Sequence, residues 1–344
     1  MDTACKNKEN CSFFARIGGQ LELDTRMLAM LGALIIIWLV LNTLTDGIFF
    51  TARNLYNLAV QTSVVGIMAT GMVMVIVARH IDLAVGSIVG FVGMVIAFLQ
   101  VNYFTLGAAW NWPTTIVIGL ILGAIIGLFQ GWWIAFRGVP AFVVTLAGLL
   151  MFRGAAYLVT DGRTVAPMDP TYQMLGGGVD GSIGELGSWI FGILAIAFML
   201  VAVIRDRMQR QRFGFKPKPI WAEILLFAVG TAVIIGFVLV MNSYYKPKSD
   251  IPRGIPIPVL ILIAVVIVMS FVVKSTKFGR YVFAIGGNPE AAELSGINVQ
   301  RVTLGIFMVM GILCGVAAVI TTARLNAGAN SMGQLAELSV IAAA

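Results

Sequence analysis

Apolar residues in this chain fall in long unbroken runs separated by short polar interruptions, with neither the alternation of a half-buried strand nor the narrow stripe of a soluble amphipathic helix. A hydrocarbon core about 30 Å thick is crossed by roughly 20 helical residues. Nine runs are about that long: 27–45, 58–78, 83–100, 114–136, 139–160, 188–204, 221–241, 256–273 and 302–322. The pattern predicts an all-α fold, a polytopic transmembrane helical bundle. The first run is too long for a signal-peptide core and follows 26 mostly polar residues, so it reads as a retained span. Residues 1–26 are then a polar tail and 27–344 a membrane domain that includes a long polar loop, 274–301.

Composition removes whole classes of function. Of 344 residues 59% are hydrophobic and 11% charged, with a mean hydropathy of +0.94, which excludes a soluble enzyme, a disulfide-stapled secreted module and a disordered tail. The excess of 23 Lys+Arg over 16 Asp+Glu reflects topology rather than nucleic-acid binding. With a cytoplasmic N-terminus, the tail, 79–82, 137–138, 205–220 and 274–301 lie on one side and hold most of the basic residues, as the positive-inside rule requires. The run Arg205-Asp206-Arg207-Met208-Gln209-Arg210-Gln211-Arg212 suits anchoring to acidic membrane lipid. Cys5, Cys11 and Cys314 match neither zinc-ligand spacing nor a disulfide framework.

The run 114–136 carries Gly119, Gly123, Gly127 and Gly131, one every four residues and so near one helix face, where another helix can approach closely. Gly86 with Gly90, and Gly311 with Gly315, repeat the device. These glycines predict helix packing.

Catalytic chemistry is absent from the pattern. There is no phosphate-binding Gly-x-x-x-x-Gly-Lys-Ser/Thr loop, a single histidine and no metal-ligand cluster, so no catalytic residue, metal or cofactor is assigned. Three places remain. At Arg79-His80-Ile81-Asp82-Leu83-Ala84-Val85-Gly86-Ser87 polar residues interrupt two apolar runs. This is either a tight cytoplasmic turn with Arg79 reaching the interface, or a break within the bundle where Asp82 accepts N–H bonds at the start of the next helix. Arg79, His80, Asp82 and Ser87 are therefore candidates for a translocation path, and so is Arg153, which sits inside an apolar run and needs an acceptor. In the loop 274–301, Asn288 is a helix cap, Pro289 suits the first helical position, Glu290 complements the macrodipole and Gly296 ends the helix. A helix of about two turns, 289–295, follows, with Ala291, Leu294 and Ser295 expected on one side; it either caps the bundle or docks a cytoplasmic partner.

Four ordered motifs resemble a known family: Asn54 through Gly71 followed by Ile81 to Ser87; Val139-Pro140-Ala141-Phe142-Val143-Val144-Thr145-Leu146-Ala147-Gly148 with Arg153-Gly154; Gly279 to Gly296; and Ala323-Arg324-Leu325 through Glu337-Leu338-Ser339-Val340-Ile341-Ala342-Ala343. They resemble the membrane-spanning permeases of bacterial sugar ABC importers, the ribose, galactose, arabinose and xylose permeases. Arg79-His80, Ala84 and the extra basic loop are most similar to the xylose branch. The resemblance implies an inner-membrane permease, acting as a homodimer with a cytoplasmic ATP-binding subunit and a periplasmic sugar-binding protein. It also implies a coupling helix built from Asn288, Pro289, Glu290, Ala291, Ala292, Glu293 and Gly296. Relatives continue past the Glu337 motif, so ending at Ala344 suggests a C-terminally truncated form. The rival reading is an ion-coupled secondary transporter that would need a titratable residue such as Asp82; a weaker one is a non-transporting scaffold docking through 274–301.

Overall fold

The computed structural model describes residues 25–215 and 219–344. Nearly all of the tail assigned to 1–26, with Cys5 and Cys11, lies outside the described residues, as do residues 216–218 of the basic loop. In chain order the helices are α1 (Thr25–Leu44), α2 (Ala52–Val77), α3 (Val85–Asn102), α4 (Asn111–Ala135), α5 (Ala141–Thr160), the single turn α6 (Pro170–Gln173), α7 (Gly184–Arg212), α8 (Ile220–Asn242), α9 (Ile257–Ser275), α10 (Lys277–Gly287), α11 (Pro289–Leu294), α12 (Val299–Leu325) and α13 (Ala336–Ala343). Short 3₁₀ turns occur at Ile48–Phe50 and Met174–Gly176. Among the described residues β-pairing is limited to isolated bridges.

Eight of these helices, α2, α3, α4, α5, α7, α8, α9 and α12, are long and apolar enough to cross a bilayer. The first apolar run is helical too, as α1, but its stretch Ala29–Leu44 is shorter than the eight. One boundary needs correction. The run 188–204 grows into the 29-residue α7, which absorbs the basic residues up to Arg212 that the sequence pattern assigns to a loop. Two of them form ion pairs: Arg210 Nε meets Asp206 at 3.0 Å one turn back, and Arg207 meets Glu223 of α8 at 2.6 Å.

Among the described residues the chain divides into two compact units, one running from Thr25 to Tyr56 with Ile183 to Ile255 and the other from Asn57 to Ser182 with Pro256 to Ala344. In the first, α7 packs on α8, and the buried Arg253 guanidinium lies 4.3 Å from the Tyr244 ring centroid and 5.6 Å from that of Tyr56. Gly254 is glycine there on two counts: its φ of +78° lies in the left-handed region, and a methyl group would strike the carbonyl of Gly184.

The second unit is built around α3 and α12, each with 67% of its most apolar window buried. The glycine face of α4 lies along α12. A methyl added at Gly123 would meet the carbonyl oxygen of Gly311, one at Gly127 the carbonyl of Phe307, and one at Gly131 the Cα of Leu304 at 3.3 Å. Gly119, one turn earlier, faces the flexible end of Ile96 on α3 and lies next to Gly315 of α12. Close backbone approach is how apolar helices gain dispersion contacts when the surrounding lipid is as apolar as they are. The difference between flexible and backbone neighbours makes a prediction. Gly127→Ala is expected to cost about 1–3 kcal/mol of bundle stability, and Gly119→Ala distinctly less, as read from unfolding midpoints in detergent.

Candidate functional site

Between α2 and α3 the helix stops at a backbone turn in which Arg79 adopts φ +66°. Its guanidinium reaches 207 residues along the chain, donating from Nε to the Gly286 carbonyl at 2.8 Å and from Nη2 to the Gly287 carbonyl at 2.6 Å. These are terminal carbonyls of α10, where a cation is favoured by the exposed oxygens and by the helix dipole. Gly286 is glycine because the carbonyl of Val77, at the end of α2, occupies the place of its Cβ. The two helix ends are thereby locked together.

Three residues further, Asp82 is 1% exposed, and its Oδ1 accepts the Ala84 N–H at 2.8 Å at the entry of α3. The interruption therefore combines both sequence-level pictures: Arg79 is exposed and turned to a neighbouring helix end, whereas Asp82 is inside the bundle. Burial pushes the Asp82 carboxyl up to about 6, opposed by its Ala84 hydrogen bond, and burial likewise lowers the pKa of His80, whose ring lies 5.9 Å from that of Phe307. The buried Ser87 hydroxyl donates to the Ala84 carbonyl at 2.8 Å, and Thr145 of α5 donates to the Ile81 carbonyl at 3.3 Å. Both stabilise the break itself.

Arg153 finds the acceptors its position demands. Its Nη1 donates to the carbonyls of Asn330 at 3.1 Å and Met332 at 2.8 Å, on the irregular segment 326–335 between α12 and α13. That segment runs back along about three turns of α3: Gly328 packs on Ala97, Met332 on Gly93 and Gly90, and Gly333 on Gly86. Non-helical backbone beside a span is tolerated only inside protein, where something satisfies its carbonyls. Arg153 does so, while the reciprocal pairing of Val165 with Gly328 (2.8 and 3.0 Å) and the bond from Met168 N–H to Asn326 Oδ1 (2.8 Å) hold the segment's other end. Glu337, in the first turn of α13, is 8% exposed and packs against Gly86, and its Oε2 has no hydrogen-bond partner among the described residues.

The short helix of the long loop forms as α11, Pro289–Leu294. Asn288 Oδ1 accepts from the N–H groups of Glu290 (3.0 Å) and Ala291 (3.2 Å), and Gly296 takes φ +83°. Asn288 also ends α10, so a single residue separates the two helices. The expected packing face is corrected: Ala292 is the side chain seated in the core, whereas Ala291, Glu293 and Ser295 are exposed and Leu294 is 90% exposed. A six-residue helix rotated by one position presents a different stripe, and the cap and glycine signals fix its ends without fixing its rotation.

The candidates therefore fall in three connected places: Arg79 at the end of α10, Asp82 and Ser87 at the entry of α3, and Arg153 against segment 326–335. Sequence reasoning assigned no role to Glu337, to segment 326–335 or to Gln130, which is 1% exposed with neither amide atom bonded among the described residues. The signal for the segment was present, since Asn326, Gly328, Asn330, Ser331 and Gly333 form a cluster of turn residues before a renewed apolar run.

Long apolar helices enclosing a buried break, with a preformed helix outside them, define a multi-pass membrane transport protein. The chain belongs to the permease family described as the branched-chain amino acid transport system permease component, which it matches over residues 54–344. It is similar to the xylose transport system permease protein XylH of Escherichia coli (strain K12), 40% identical over 94% of this chain and 79% of that one. The XylH of Haemophilus influenzae is also 40% identical, over 94% and 82%. The ribose import permease protein RbsC of E. coli (strain K12) is 29% identical over 90% and 74%. No solved structure matches.

Proposed function

We propose that this chain is the membrane-spanning subunit of an ATP-driven importer in the bacterial inner membrane, with a cytoplasmic N-terminus, and that it moves a pentose, D-xylose, by alternating access. Support for the sugar comes from the xylose permeases it resembles. The observation that carries the mechanism is α11: too short to persist alone in water, it is preformed by Asn288 and by burial of Ala292, and turns Glu290, Glu293 and Leu294 outward. A cytoplasmic ATPase docks on that face. Its closure displaces α11, and through the shared Asn288 and the Arg79 bonds the displacement enters the break and α3. Two permease copies then reorient around the path, while a periplasmic binding protein delivers the sugar and supplies selectivity. Weak contacts suffice inside, since a tightly held sugar would not leave. The test is reconstitution in proteoliposomes with the ATPase and binding protein: uptake of labelled xylose must require all three components and ATP.

The buried Asp82 favours one competing reading, an ion-coupled secondary transporter. Asp82→Asn separates the two. Uptake within about twofold of wild type is expected for the ATP-driven importer; loss of uptake with ATPase binding intact sinks that mechanism in favour of ion coupling.

Asp82 also predicts a pH dependence of stability. The folded state holds its proton to about pH 6 whereas the unfolded carboxyl titrates near 3.8, so the protonated form's contribution is full below about pH 4 and lost as the pH rises through 6. The loss is on the order of 2–3 kcal/mol. Unfolding midpoints between pH 4 and 7 should fall in the wild type and flatten in Asp82→Asn.

A further inference from the structure

Two cavities on the outer face of α4 and α5 adjoin at Val139 and differ in chemistry. The first, about 380 Å³, lies where both helices end and is lined by Arg79, His80, Pro140 and Phe142 among others, with no acidic residue. Two nitrogens of Arg79 are engaged with α10 carbonyls, which leaves further guanidinium N–H donors. The start of α5 also lines this cavity, and its N-terminus carries no side-chain cap. Nearby, Arg137 stacks over Trp132 at 5.6 Å, beside Trp133. Tryptophan pairs of this kind mark the headgroup level of a bilayer. The second cavity, about 410 Å³, continues along the same two helices as a predominantly apolar groove lined by Phe129, Trp133, Val143, Ala147 and Met151, with the Gln130 amide in its wall. From the start of α5 at Ala141 to Met151 it follows about 15 Å of helix, the depth of one leaflet of a core about 30 Å thick.

We propose that this composite cavity binds one phospholipid with an anionic headgroup, its phosphate at Arg79 and His80 and an acyl chain in the α4–α5 groove. A cationic pocket at headgroup level suits the phosphate, the groove suits a chain, and their continuity at Val139 suits an amphipath joining both. The site is independent of the transported solute. It places the lipid on the arginine that grips the end of α10, so lipid charge would act on the arm that carries α11.

The test is native mass spectrometry of the delipidated full-length chain with phosphatidylglycerol, phosphatidylcholine or inorganic phosphate. Phosphatidylglycerol should be retained at concentrations at least tenfold below phosphatidylcholine, and millimolar phosphate should not displace it. Val143→Trp, which fills the groove at a half-exposed position, should weaken phosphatidylglycerol binding at least fivefold without lowering the unfolding midpoint. Arg79→Gln should erase the preference between the two lipids; if that variant does not fold, Val143→Trp decides alone. Equal binding of both lipids, displacement by phosphate, or undiminished binding to Val143→Trp overturns the proposal. So does efficient Val143→Cys cross-linking between two copies in place of bound lipid, which would make the groove a dimer contact.

Discussion

Reversing both acids of α11, Glu290→Lys with Glu293→Lys, is expected to reduce ATP-driven uptake to below a tenth of wild type while the membrane helices stay folded. Both side chains are exposed, so neither change disturbs the core. The Glu290→Lys change removes the favourable interaction of an acid with the N-terminal dipole, about 0.3–1 kcal/mol, but Asn288 still caps the helix through two hydrogen bonds and Ala292 still anchors it. If the ATPase docks on α11 as proposed, a surface matched to two negative charges meets two positive ones instead, and like-charge juxtaposition costs several kcal/mol, with each 1.4 kcal/mol a factor of ten in affinity. The check is a detergent pull-down of the ATPase together with proteoliposome uptake. Normal uptake by the doubly reversed chain would remove α11 from the coupling role.

The second large effect is expected at Arg153. Arg153→Met keeps much of the length of the side chain but leaves the carbonyls of Asn330 and Met332 without their donor. Each orphaned buried acceptor costs about 1–3 kcal/mol, so the pair should destabilise the packing of segment 326–335 by about 2–6 kcal/mol. Lysine reaches one carbonyl more easily than two, so Arg153→Lys should fall between. The measurement is unfolding by denaturing detergent together with protease sensitivity at 326–335. Wild-type resistance in Arg153→Met would mean that other contacts hold the segment.

The helices were legible because their cause is local: a run of twenty apolar residues has one stable solution in lipid, and all nine runs are helical. The ends of α11 were legible for the same reason, since Asn288, Pro289 and Gly296 act on their own turn. What the sequence hid is what depends on distant partners. Arg79 is separated by some two hundred residues from the carbonyls it grips, and Arg153 by nearly as many from its own. Charge cost alone demanded an acceptor for Arg153 without naming one. The rotation of α11 was misread because Ala291, Ala292 and Leu294 offer no strong apolar stripe, so tertiary packing alone chose Ala292.

The uninterrupted length of α12 has a mechanical consequence. Its 27 residues make a rod about 40 Å long, joined at one end to α11 through only Ser295, Gly296, Ile297 and the capping Asn298, and at the other to Asn326 and the segment gripped by Arg153. Its glycine seam with α4 brings backbone against backbone at Gly123 and Gly311, so the two helices pack closely along that stretch. For a beam of that length each degree of tilt at the α11 end sweeps the far end through roughly 0.7 Å. A tilt of a few degrees at one end would therefore become a displacement of about a water molecule's diameter at the other.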